Sequence, residues 1–307
     1  MPFYSRGVEF LGPGGSPVVV LDGGLATELE RRGHDLSDAL WSARLLTDAP
    51  AEITAAHRAF YAAGAQVATT ASYQATFDGF AARGVGPADT ERLLRRSVEL
   101  ADAARAELAG DGHRRWVAAS VGPYGAALAD GSEYRGRYGR TVAELTAWHL
   151  PRLEVLADAV PDVLALETVP DIDEAEALAR AVSGLGVPAW LTYAISGGTT
   201  RAGQPLADAF AVVAETPEVI AVGVNCCAPA DVGPAIAAAR TVTDKPVIVY
   251  PNSGETWNGG WCGPSRFTAE LAVKWVADGA RAVGGCCRVT PHDVAELSRV
   301  LVRENRS

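Results

Sequence analysis

Four of the five cysteines in this 307-residue chain form two doublets, Cys226-Cys227 and Cys286-Cys287, with Cys262 between them. An odd count and adjacent pairs argue against a disulfide framework. The doublets stand too far apart for a zinc finger or ribbon, and no C-x-x-C pair occurs. Each doublet instead closes a strand-like run, VIAVGVNC (219–226) and RAVGGCC (281–287). Successive strand residues point to opposite faces, so Cys286 and Cys287 can share one ion only where the strand has broken into a turn. Gly284-Gly285 are expected to supply that backbone freedom. Cys226, Cys286 and Cys287 then form a three-thiolate set, with Cys227 the non-ligand of its pair and Cys262 a loop thiol. Three thiolates at ~2.3 Å leave a tetrahedral Zn2+ with one open position, the arrangement of a catalytic site. Such an ion is net negative, a poor polariser of water but a good host for a fourth sulfur. A thiol bound there loses its proton, so the implied chemistry is activation of a substrate thiol as nucleophile.

Other chemically useful residues also stand at the ends of strand-like runs. Asp22 ends VVVLDG (18–23), Tyr73 follows QVATTAS (66–72), and Glu167 ends DVLALET (162–168). Further runs are WVAASVG (116–122), AWLTYAI (189–195) and KPVIVY (245–250). All are short, apolar and rich in β-branched or small residues, as strands buried on both faces should be. Helical stretches are predicted between them near 49–63, 89–109, 141–158, 171–183, 205–215, 229–240, 267–277 and 291–303. Asp171 and the Thr290-Pro291 pair with Asp293 supply helix starts. Strand and helix alternate eight times, which predicts a single α/β domain of the (β/α)8 barrel type over residues 16–307, behind an N-terminal extension at 1–15. An open doubly wound sheet is the alternative, since periodicity does not show closure, but no GxGxxG follows the first strand. Two loops are long, 123–139 after the third strand and 251–267 after the seventh. Both mix glycines with aromatics and lie on the face where barrel active sites are built.

The balance of 27 basic against 37 acidic residues gives a net charge of −10, which argues against a nucleic-acid or anionic-membrane partner. The N-terminus has no signal-like apolar stretch, and no window reaches the ~20 apolar residues of a membrane span. A cytoplasmic protein acting on small molecules is expected. The five histidines, His34, His57, His113, His149 and His292, fall in helices or their flanks and suggest no role; His149, with Trp148, is expected to face the outer layer.

The segments LDGGLATELERRG, TTASYQAT, GPYGAALADGSEYRGRY, LALETVPDIDEAEAL, GVNC, VYPNSGETW and GGCCRVTP resemble the homocysteine S-methyltransferases, in the same order and over roughly residues 16–303. The pairing of GVNC with a distant GGCC is the most specific part of that likeness. The resemblance implies the barrel, a zinc site at Cys226, Cys286 and Cys287, and methyl transfer to homocysteine. It further implies that Asp22 and Glu167 bind the homocysteine ammonium, with backbone N–H groups around Gly23-Gly24 meeting its carboxylate and Tyr73 counted among the substrate-binding residues.

Within that family, YGAALADGSEYRGRY looks like the branch using S-methylmethionine or S-adenosylmethionine. The betaine branch carries a tyrosine directly after the fourth-strand acid, where this chain has Thr168, leaving water or Asn225 as candidates for the fourth zinc position in the empty enzyme. A sulfonium's charge must be met by carboxylates or ring faces, and Glu133, Tyr124, Tyr134 and Trp257 stand on the right loops. Alternatives are a betaine-type or other thiol or selenol methyltransferase with the same zinc, a methyltransferase module serving a cobalamin protein, and a zinc- or thiol-binding protein without turnover.

Overall fold

The structure is a computed structural model that describes Leu11 and residues 18–304 apart from Gly259. The expected extension at 1–15 therefore lies, but for Leu11, outside the described residues. Eight parallel strands run β1 (Val19–Val20), β2 (Val67–Thr69), β3 (Trp116–Val121), β4 (Val163–Val169), β5 (Ala189–Ser196), β6 (Val219–Asn225), β7 (Val247–Tyr250) and β8 (Ala280–Val283). From β2 onward each pairs its successor, and β1 pairs β8 in register Val19↔Ala282. A parallel bridge from Leu21 to Val67 joins the end of β1 to β2. These two contacts close the cylinder and remove the open-sheet alternative.

The predicted helices appear as α1 (Pro50–Ala62), α2 (Pro87–Glu107), α3 (Val142–Asp158), α4 (Ile172–Ala181), α5 (Leu206–Ala214), α6 (Pro229–Arg240), α7 (Ala269–Asp278) and α8 (Pro291–Glu304). Their starts are written locally. Pro50, Pro87 and Pro229 open α1, α2 and α6, where a missing N–H is harmless. Thr141 and Glu144 form a reciprocal capping box on α3, Asp171 caps α4, and Thr290 exchanges hydrogen bonds with Asp293 at the start of α8.

Alternation along the strands divides the core in two. Val19, Leu21, Val67, Ala118, Ala165 and Ile248 fill the barrel interior with Trp116 and Trp190. Their neighbours Val20, Ala68, Ala119, Leu164 and Val249 face the helices. A filled interior leaves the C-terminal mouth as the place for a ligand. The loop at 123–139 carries a short helix (Tyr124–Leu128) and a 3-10 turn (Ser132–Tyr134), and the loop at 251–267 carries a hairpin of Thr256–Trp257 against Trp261–Cys262. No helix among the described residues is long and apolar enough to cross a membrane.

Candidate active site at the barrel mouth

A cavity of about 270 Å³ opens at the C-terminal mouth, with Asp22, Glu167, Cys226, Cys286 and Cys287 on its wall. The strand ends bring these distant residues together. The Sγ atoms of Cys226, Cys286 and Cys287 all lie within 4.8 Å of one another. The sulfurs of Cys226 and Cys286 are brought into contact, with Cα atoms 5.6 Å apart, because the ends of β6 and β8 aim them at one point across β7. The three sulfurs are a soft, all-thiol donor set able to hold a metal ion. Cys227 is buried away from this cavity, its thiol pushed up to about 12 by burial, and Cys262 is exposed on the hairpin loop.

The turn that presents Cys286 and Cys287 begins where β8 stops at Val283. The glycines before it are needed for space, not for unusual dihedrals as expected, since neither has positive φ. A Cβ on Gly284 would sit 2.6 Å from Leu21 Cβ and 2.7 Å from the Asp22 carbonyl oxygen. Gly285 N–H donates to that same carbonyl at 2.9 Å, tying the cysteine turn to the end of β1. Cys287 N–H donates to Asn252 Oδ1 at 3.1 Å.

Cys226 and Thr168 both adopt left-handed backbone conformations, φ 47° and 61°, which side-chain-bearing residues avoid. Asn225 holds both. Its Oδ1 accepts from Thr168 N–H (2.8 Å) and Thr192 Oγ1 (2.8 Å), and its Nδ2 donates to Thr168 Oγ1 (2.8 Å). The Thr168 hydroxyl in turn points at Cys226 Sγ, 3.8 Å away. Asn225 is therefore committed within the protein, which removes it as a candidate fourth ligand.

Two carboxylates face the sulfurs from the other strands. Asp22 accepts from Thr69 N–H at 2.6 Å and Thr69 Oγ1 at 3.0 Å. Burial nevertheless pushes its carboxyl up to about 8, with the Glu167 charge adding to the rise. Glu167 accepts from Ser120 Oγ and the Tyr250 hydroxyl, yet burial raises it to about 7. A cation placed between two buried acids this costly to ionise would favour their ionised forms.

Tyr73 lines the cavity beside Trp41, ring centroids 6.0 Å apart, and Glu133 and Tyr134 reach it from the 123–139 loop. Tyr124 does not. Its ring packs among Tyr138, Trp148 and the Arg140 guanidinium, because its N–H is anchored 2.5 Å from Glu174 Oε1 on α4. Trp257 stands exposed on the hairpin, edge-on to Trp261, and is likewise off the cavity wall. The N–H of Gly24 is taken by the Val289 carbonyl at 2.9 Å, so it is not free for a ligand carboxylate.

His149 is fully buried instead of facing the outer layer. It bonds Glu174 Oε1 (2.9 Å) and accepts from Arg152 (3.0 Å), and Arg152 also donates to the Gly122 carbonyl at 2.6 Å. His57 is fully buried as well, with neither ring nitrogen bonded. The cavity residues that sequence reasoning missed include Trp41, Ser120 and Tyr250. Tyr250 was legible in the sequence, because it ends the seventh strand much as Glu167 stands near the end of the fourth. Trp41 lies in a connection with no periodic signal.

A closed (β/α)8 barrel whose mouth combines three converging cysteines with two buried carboxylates defines an enzyme that handles thiol substrates. The chain belongs to the homocysteine S-methyltransferase family, whose model matches residues 19–301. It is 43% identical to homocysteine S-methyltransferase YbgG of Bacillus subtilis, covering 92% of this chain and 94% of that one. The metallated form of the homocysteine methyltransferase MmuM from Escherichia coli superposes with a TM-score of 0.85 at 45% identity, covering 92% of this chain and 96% of that one. The oxidized form of the same protein gives 0.84 at 46% identity, covering 92% and 95%.

Proposed function

We propose that this chain transfers a methyl group from a sulfonium donor to homocysteine, giving methionine, with zinc held by Cys226, Cys286 and Cys287. The observation that carries the reading is the convergence of three sulfurs beside two buried acids in one cavity. The all-thiol donor set suits zinc and leaves a fourth position for a substrate sulfur. When bound, zinc supplies acidification of a coordinated thiol, making the thiolate available at neutral pH.

The chain's own residues orient and select. Asp22 and Glu167 receive the homocysteine ammonium, and its carboxylate meets the first-turn N–H groups of the short helix Leu25–Arg31 that follows Gly24, which helix geometry leaves without helical partners. The homocysteine sulfur forms the new S–CH3 bond as the donor's C–S bond breaks. The electron pair stays on the donor sulfur, which leaves as a neutral thioether, so no general acid is required. The thiol proton passes to solvent. Trp41, Tyr73 and Tyr134 offer ring faces to the sulfonium, each worth roughly 0.5–2 kcal/mol. Their hold must be moderate, because the charge vanishes as the methyl moves and tight ground-state binding would slow transfer.

S-Methylmethionine is compact enough to share the mouth with homocysteine, whereas S-adenosylmethionine must also fit an adenosine. Steady-state rates with a donor panel at fixed homocysteine test this. S-Methylmethionine should give the highest kcat/KM, S-adenosylmethionine a lower one and betaine none. Betaine as the best donor would overturn the donor assignment.

A further inference from the structure

Four carboxylates line the cavity, and three are held by other residues. Asp22 is held by Thr69, Glu167 by Ser120 and Tyr250, and Asp38 by Arg83 and the Leu40 N–H. Glu133 is the exception: apart from its own backbone N–H its carboxylate has no partner, and its buried Oε2 accepts no hydrogen bond. No lysine or arginine lines the cavity among the described residues. A lining carboxylate with one oxygen unbonded, on a cavity with no basic side chain, lacks a counterion that the protein does not provide.

Resting on the methyl-transfer reading above, we propose that Glu133 receives the α-ammonium of the methyl donor, and that the cavity thereby selects donors of net positive charge. Homocysteine has its own pair of acids, on β4 and after β1, while Glu133 comes from the loop after β3. Two amino-acid substrates thus find separate ammonium receivers in one cavity. Burial, with the neighbouring Asp130, holds the Glu133 carboxyl above the ordinary glutamate range, as fits an acid whose counterion arrives with the ligand. S-Methylmethionine carries a sulfonium, an ammonium and one carboxylate, net +1. Betaine is net neutral and its quaternary ammonium carries no N–H, so it offers Glu133 no hydrogen bond. Glu133 is then a specificity residue, remote from the transferred methyl.

The test compares S-methylmethionine with its des-amino analogue, (3-carboxypropyl)dimethylsulfonium, in the wild type and in Glu133→Gln. A charged hydrogen bond at this position predicts a wild-type preference of about 10- to 100-fold in kcat/KM for S-methylmethionine, expressed mainly in KM. In Glu133→Gln that preference should collapse toward parity. Calorimetric titration of S-methylmethionine into the zinc-loaded protein should show the same loss of affinity without turnover. Homocysteine affinity, read in parallel, reports that the variant is folded. Retention of the wild-type preference in Glu133→Gln overturns the assignment of Glu133. Absence of methionine formation by the wild type with every sulfonium, despite tight Glu133-dependent binding, would overturn the methyl-transfer reading and leave the ammonium receiver standing.

Discussion

Thr168 and Asn225 hold each other through two hydrogen bonds of 2.8 Å, the Thr168 N–H to Asn225 Oδ1 and Asn225 Nδ2 to Thr168 Oγ1. This reciprocal grip maintains a β-branched residue at φ 61°, a conformation costing about 1–3 kcal/mol, and aims its hydroxyl at Cys226. Asn225→Ala would break three buried hydrogen bonds at once. A loss of about 2–4 kcal/mol in denaturant unfolding is expected. Faster release of zinc to a chromogenic chelator should accompany it. Stability loss with unchanged release would show that the grip serves the fold alone.

If Asp22 and Glu167 hold the substrate ammonium as proposed, they set the pH dependence of homocysteine binding. Asp22 at about 8 and Glu167 at about 7 are largely protonated in slightly acidic solution. Homocysteine affinity should therefore rise as pH rises from 6 to 8, while the substrate ammonium remains charged. Asp22→Asn or Glu167→Gln should weaken homocysteine binding about 10- to 100-fold with zinc retained. A thiol lacking the amino group should be a poor ligand for the wild type and lose little more in the variants.

Asp22 also imposes a stability cost on the ligand-free protein. Its folded value lies above its ordinary 3.8, so the folded state holds the proton more tightly than the unfolded chain does. The resulting stabilisation is fully present below 3.8 and is lost as pH rises toward 8. Asp22→Asn should raise the Tm of ligand-free protein at pH 8 by roughly 2–8 °C, and by less at pH 5. Thermal unfolding at the two pH values checks this.

His57 acts at the other end of the scale. Burial without a partner lowers it from 6.5 to about 4. The unfolded chain binds the proton first, so stability is lost as pH falls from 6.5 to 4, by about 3 kcal/mol for the full shift. His57→Leu should flatten that part of the pH–stability curve. An unchanged curve would mean that other groups govern the acid limb.

Much of this architecture was legible in the chain, for a physical reason. Apolar runs of strand length alternate with helical stretches, and a parallel barrel delivers every strand end to one mouth, so Asp22, Glu167, Cys226 and the 286–287 doublet could be grouped without coordinates. Side-chain direction within loops was not legible. Tyr124 and Tyr134 lie ten residues apart on the same loop, but the bond from Tyr124 N–H to Glu174 turns one ring away while the other lines the cavity. Tertiary partners likewise decided His149, whose burial depends on Glu174 from the next helix. The Gly284-Gly285 pair stands at the expected place for a different cause, since Gly284 packs against Leu21 and Asp22 at the end of β1 and Gly285 against the Val289 side chain, contacts that local sequence does not show.

The claim that a metal held by three thiols activates homocysteine is tested most directly by methionine formation across a set of single cysteine variants, with bound zinc measured on the same samples. The wild type, Cys227→Ser and Cys262→Ser should each bind about one zinc per chain and form methionine from homocysteine and S-methylmethionine. Cys226→Ser, Cys286→Ser and Cys287→Ser should lose both together, and chelation of the wild type should abolish turnover until zinc is restored. Full activity in Cys286→Ser and Cys287→Ser, or in chelated wild type, would contradict the account.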